Sequence, residues 1–186
     1  MEEEVKQNEL TTRDKINSYL HLNEVKIDDA KYTEFWNFVI LWNLFESRLF
    51  ERDFSVTEAK DKMTFNVSED KINAAFDYIK KRYFNENLTP NELFDKLGFR
   101  NKQRNENRKK KVAKELIETH DEKKVKAIIA NANCELADKA LAVTIIIYRY
   151  RNNFFHGEKN IVSLTRQEGN FKFANDFLIA CLEANK

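Results

Sequence analysis

Between Asp28 and about Arg52 the apolar positions recur at three- and four-residue steps, with Phe35, Val39, Trp42 and Leu49 on one stripe and Trp36, Ile40 and Leu44 on the stripe beside it. Two adjacent apolar stripes predict a long, deeply buried helix. Glu46 falls on the first stripe, between Trp42 and the Leu49–Phe50 pair. A carboxylate buried there needs a cationic or hydrogen-bonding partner; alternatively the stripe ends near Phe45 and Glu46 is solvated. Further on, Ile72, Ala75, Phe76, Ile79 and Tyr83 repeat at helical spacing and predict a helix from about Glu69 to Phe84. Thr89-Pro90-Asn91-Glu92 reads as an N-cap, a proline at the first helical position and a capping-box Glu, with Gly98 as the stop. Val125, Ile128 and Ile129 mark a short helix after Asp121, followed by a turn over Asn131 to Asn133. From Cys134 to about Asn153 the β-branched run Val143 to Ile147 permits a strand. Length and the helix-forming lead-in Glu135 to Leu141 decide for a helix. Thr165 and Glu168 suggest a second capping box ahead of a closing helix through Phe173, Phe177, Leu178, Cys181 and Leu182.

Composition agrees with helices. Three glycines and one proline are too few turn-formers for a many-stranded sandwich or barrel, while Trp, Tyr and Phe total 23 and furnish a core. The expected fold is an all-α bundle forming one domain over residues 1–186, with residues 54–120 as a helical, basic insertion. Cys134 and Cys181 lie far apart in apolar stretches, which fits a reducing compartment. The acidic start Met1-Glu2-Glu3-Glu4 lacks the pattern of an export signal. The longest apolar run, Ala140 to Tyr148, is too short for a bilayer span. A soluble, cytoplasmic protein without a membrane partner is expected.

The net charge of +1 conceals a polarised chain. Nine of the 32 basic residues and one of the 31 acidic residues fall between Lys96 and Lys114, so that stretch carries +8 and the rest of the chain −7. Three readings are open. Residues 100–111 contain no apolar side chain, which describes an ordinary solvated helix. The same cations, Arg104, Arg108, Lys109, Lys110 and Lys111 among them, suit contacts to RNA phosphates. A helix-turn-helix over Leu93 to Lys111 is the weakest reading, because a recognition helix needs apolar anchors that are lacking between Phe99 and Val112.

Candidate chemistry is confined to one segment. Gly98, Gly157 and Gly169 cannot build a phosphate-cradling loop, and His21, His120 and His156 have no His or Cys at metal-ligand spacing, so neither a metal nor a cofactor is expected. What remains is Tyr148-Arg149-Tyr150-Arg151-Asn152-Asn153-Phe154-Phe155-His156-Gly157-Glu158, at the end of the most apolar helix. At 100° per residue Asn152 and His156 share a face and Arg151 lies beside them, so the three can converge on one anion. An imidazole can take a proton from a ribose 2′-hydroxyl while a guanidinium binds the phosphate where charge grows. RNA could be cleaved in this way without a metal, and DNA could not. A plainer reading makes Arg149 and Arg151 complements to the helix C-terminus and His156-Gly157 its cap.

The run Arg151-Asn152-Asn153-Phe154-Phe155-His156 resembles the signature of the HEPN superfamily (higher eukaryotes and prokaryotes nucleotide-binding domain), an Arg with a polar neighbour followed within a few residues by His. The resemblance extends to a long aromatic first helix bearing an acidic residue, here Glu46, and is closest to branches tied to phage defence and abortive infection. It implies a metal-independent endoribonuclease, a toxin or defence effector, with Arg151 and His156 catalytic, Asn152 orienting the His or the phosphate, and Glu46 and Asn153 in support. It further implies a homodimer with two motifs in one cleft, and leaves room for a cognate antitoxin or inhibitor. Members silenced by a nucleotidyltransferase partner usually carry Tyr two positions after the His; Glu158 stands there instead. The competing expectation is a non-catalytic HEPN-like module that binds RNA or protein.

Overall fold

The computed structural model describes residues 29–50, 54–56, 59, 67–99, 119–155 and 167–185. Within them the chain forms helices α1 (Asp29–Leu49), α2 (Glu69–Tyr83), α3 (Glu92–Asp95), α4 (His120–Ala130), α5 (Leu136–Phe155) and α6 (Glu168–Ala184). No strand occurs among the described residues; an isolated bridge pairs Phe84 with Pro90.

The centre is α5. Every residue from Ala140 to Ile147 is fully buried, so neighbours cover this helix on all sides, as an all-round apolar helix requires. The β-branched run is helical, and Thr144 turns its hydroxyl back to donate to the Ala140 carbonyl at 2.9 Å, which satisfies a buried polar group locally. Helices α2 and α4 pack against α5, and α6 packs against α1 and α2. Phe38 of α1 meets Phe171 of α6 with ring centroids 5.2 Å apart, and Asn175 Nδ2 of α6 donates to the Glu34 carbonyl (2.9 Å) and carboxylate (2.7 Å). Between α2 and α5 the Tyr83 and Tyr150 hydroxyls share a buried hydrogen bond of 2.7 Å. Burial, then the neighbouring Tyr83, pushes the Tyr150 phenol well above the usual tyrosine value, so Tyr150 stays neutral and serves packing.

Two readings of the sequence need correction. The first concerns the α2–α3 turn. The residue that caps α3 is Asn91 and not Thr89, because its Oδ1 accepts from the Leu93 and Phe94 amides at 2.9 and 3.3 Å while the Thr89 hydroxyl is held by Asn87 Oδ1 at 2.6 Å. Pro90 therefore precedes the cap. The second concerns α1. Phe38, Trp42 and Phe45 are buried to within 1 %, but Trp36, Ile40 and Leu44 are 44 %, 56 % and 40 % exposed. Among the described residues, one side of α1 is covered and the second apolar stripe, Trp36, Ile40 and Leu44, is exposed.

At the other end of the chain Thr165 lies outside the described residues, and α6 starts at Glu168 after Gln167, whose side chain does not cap it. Among the described residues no helix is long and apolar enough to cross a membrane.

Candidate functional site

The last two turns of α5 carry Arg149 to Asn153, and their side chains divide between two directions. Arg149 and Asn153 are four residues apart and share a face. Both grip the turn after α3. Arg149 Nε donates to the Leu97 carbonyl at 3.3 Å and Nη2 donates to the Gly98 carbonyl, while Asn153 Nδ2 donates to the Leu97 and Lys96 carbonyls at 3.0 and 3.4 Å. The Arg149 guanidinium also lies 5.3 Å over the Phe99 ring, which stacks on Phe94. Gly98 adopts φ +67°, the left-handed region, and a Cβ there would come within 3.0 Å of Asn153 Oδ1. Gly98→Ala should therefore lose about 1–2 kcal/mol to backbone strain, with the crowding of Asn153 added. Urea denaturation reads this directly, and an unchanged midpoint would disprove it.

Arg151 takes the other direction, toward the end of α1. Its Nη2 lies 4.0 Å from Glu46 Oε2, and its Nη1 donates to Asn152 Oδ1 at 3.2 Å. Glu46 is buried, 8 % exposed, and its Oε1 accepts from the Phe54 backbone amide at 3.1 Å. The partner required of a buried carboxylate is thus a backbone N–H together with a nearby guanidinium. What fixes the Phe54 amide is an aromatic cluster. The Phe54 ring centroid lies 4.9 Å from Tyr148, 5.1 Å from Phe50 and 5.6 Å from Trp42, so α1 and α5 both seat the residue whose N–H holds Glu46. The Arg151 side chain remains 30 % exposed. A guanidinium placed by a carboxylate and an amide and open to solvent is suited to binding an anion.

Arg151, Asn152 and Glu46 are therefore brought together, whereas Asn153 is turned away from them into the α3 turn. His156, Gly157 and Glu158 lie outside the described residues, as do Arg104, Arg108, Lys109, Lys110 and Lys111. Among the described residues no group of three His, Cys, Asp or Glu side chains is placed to hold a metal ion. Sequence reasoning did not single out Arg149 as an anchor of the α3 turn. The signal available was its four-residue spacing from Asn153, with a glycine stop elsewhere in the chain to receive the pair. Compared with protein-family models, curated proteins and solved structures, the chain gave no match.

Proposed function

We propose that the protein is a metal-independent endoribonuclease of the HEPN type. The observation that carries this reading is the placement of Arg151. A partly exposed guanidinium is held by buried Glu46 and by Asn152 at the end of the central helix, five positions before His156 in the sequence. In this reading His156 takes the proton from a ribose 2′-hydroxyl, whose oxygen attacks the adjacent phosphorus. Arg151 binds the charge that grows on the phosphoryl oxygens, Asn152 orients the pair, and the 5′-oxygen leaves as a hydroxyl, taking its proton from solvent water. The chain is left with a 2′,3′-cyclic phosphate. Arg104, Arg108, Lys109, Lys110 and Lys111 would contact flanking phosphates, with binding that weakens as salt rises. Two copies sharing a cleft, a role as toxin or defence effector, and a cognate antitoxin or inhibitor belong to the same proposal and rest on the sequence resemblance.

A second reading has its own observation. Asn153 spends its amide on the backbone of the α3 turn and Arg151 lies against Glu46, which is how side chains of a non-catalytic RNA-binding or protein-interaction module would look. Incubation of the purified protein with total RNA in EDTA separates the two. The enzyme reading expects fragments ending in 2′,3′-cyclic phosphate or 3′-phosphate. Intact RNA, or fragments with 5′-phosphates, would defeat it.

A further inference from the structure

A cleft of about 600 Å³ opens between α2 and α6, a size within the ordinary range for small-molecule sites. Small residues make the room, Ala74 and Ala75 on α2 and Gly169 on α6. Aromatic side chains make the walls. Tyr78 of α2 and Phe173 of α6 stack with ring centroids 4.2 Å apart and planes 15° from parallel, and buried Phe177 adds a third apolar surface. The Tyr78 hydroxyl is the one polar side-chain group among these six residues, and it already donates to Asn170 Oδ1 at 3.2 Å. Charge is confined to the rim, where Lys71, Lys172 and Asp176 are all exposed. Lys172 and Asp176 answer each other at 3.7 Å, one turn of α6 apart. Lys71 has no such neighbour on its own helix: the positions three and four residues away are Val67, Ser68, Ala74 and Ala75. Among the described residues it makes no ion pair, so the rim keeps one uncompensated positive charge.

We propose that this cleft binds a small amphiphile, an aliphatic carboxylate whose chain lies between α2 and α6 and whose acid group meets Lys71. The division of the lining selects this chemistry. A ligand polar along its whole length would lose its hydration against Ala74, Ala75, Phe173 and Phe177 without replacing it, whereas an apolar chain gains by leaving water and keeps its single charged end at the rim. The shape favours a chain over a fused ring. The lining runs along α6 from Gly169 to Ile179, roughly 15 Å at ~1.5 Å per residue, and the Tyr78 and Phe173 rings already cover one face of each other. A protein partner is less well served. Ile179 is the one large apolar side chain of the lining that stands exposed, and a specific protein interface needs a broad contact of about 1,200–2,000 Å² in total. The cleft shares no residue with the Arg151 cluster, so this second site does not rest on the ribonuclease reading.

Calorimetric titration of the full chain with decanoate, 1-decanol and decylammonium tests this, each kept below its limit of micelle formation or solubility. Decanoate should bind saturably, one per chain, more tightly than the alcohol and far more tightly than the cation, and should raise the melting midpoint. Lys71→Gln should weaken decanoate by about 2- to 5-fold, the range of a solvent-screened ion pair, and leave 1-decanol unchanged. Ala74→Trp and Gly169→Leu each place a large side chain in the cleft and should lower decanoate affinity at least ~10-fold, as expected when the apolar contact of several methylenes is lost. Ala74 is exposed, and the nearest atom to a Cβ on Gly169 is Tyr78 Oη at an ordinary 3.8 Å, so both variants should fold. Should one of them fail to fold, the other carries the measurement. Absence of saturable decanoate binding, tighter binding of decylammonium than of decanoate, or undiminished decanoate affinity in a folded cleft-filling variant would each overturn the proposal. So would an amphipathic Leu/Glu peptide that binds where decanoate does not, since that result assigns the cleft to a protein partner.

Discussion

Replacing His156 with Ala is expected to lower the rate of RNA cleavage by ~10²- to 10⁴-fold, the usual cost of removing one positioned acid–base group. RNA binding should persist, because the proposed phosphate contacts at Arg104, Arg108, Lys109, Lys110 and Lys111 are untouched. Single-turnover kinetics in EDTA give the rate and filter binding gives the affinity; an unimpaired rate would return His156 to the role of a helix cap. Arg151→Ala is a less clean probe. It deprives the buried Glu46 carboxylate of its guanidinium neighbour and, among the described residues, leaves it the Phe54 amide. Lost activity would then mix chemistry with loosening at the end of α1. Arg151→Lys retains the charge but not the planar fork, so a deep loss of rate with an unchanged melting midpoint would point to phosphate recognition.

Trp42→Ala is expected to cost about 3–5 kcal/mol, the range for emptying a fully buried large aromatic position. The loss should reach beyond the core. Trp42 packs on Phe45 and Phe54, with centroids 5.4 and 5.6 Å away, and lies 5.8 Å from Tyr148. Without it Phe54 loses one wall, and the amide that holds Glu46 loses its fixed position. Chemical denaturation measures the stability, and amide hydrogen exchange at Phe54 reports the local effect. Trp42→Phe should recover a large part of both, since it keeps an aromatic ring in the site. A Trp42→Ala protein as stable as the wild type would mean that the cluster is not what seats Phe54.

The sequence made helix positions legible wherever burial on one side imposed a 3.6-residue repeat. Ile72, Ala75, Phe76, Ile79 and Tyr83 located α2 to within one residue of its observed end at Tyr83. The run Val143 to Ile147 was harder, because β-branched residues favour strands in isolation; the surrounding helices decide the matter by burying all of its sides. Helix ends depend on which of several neighbouring polar side chains reaches a free amide. Thr89 and Asn91 are equally eligible by type, and the start of the helix at Glu92 decides for Asn91, whose Oδ1 reaches the Leu93 and Phe94 amides. Trp36, Ile40 and Leu44 expose a deeper limit. Periodicity tells which faces are apolar and not how many of them one chain can cover.

At the candidate site the sequence singled out Arg151, Asn152 and His156, with Glu46 in support; the fold gathers Arg151, Asn152 and Glu46, and His156 lies outside the described residues. The sequence also named Asn153, whose amide is spent on the α3 turn. No spacing rule could separate Asn152 from Asn153, because adjacent residues on a helix differ only by a 100° rotation, and what lies on either side is decided by distant parts of the chain.

The bond between Asn175 and Glu34 joins residues 141 positions apart, and it belongs to the packing of α1 on α6. Synthesis runs from the N-terminus, so α1 emerges with Phe35 and Phe38 lacking their shared neighbour Phe171 until α6, the last of the described helices, has been made. Loop closure over such a distance is slow compared with local helix formation. The nascent chain thus passes through a long interval as a set of preformed helices with an open aromatic seam, the state most in need of a holding chaperone. Translation that stops short of Glu168 would leave Phe35 and Phe38 without Phe171 and Glu34 without Asn175.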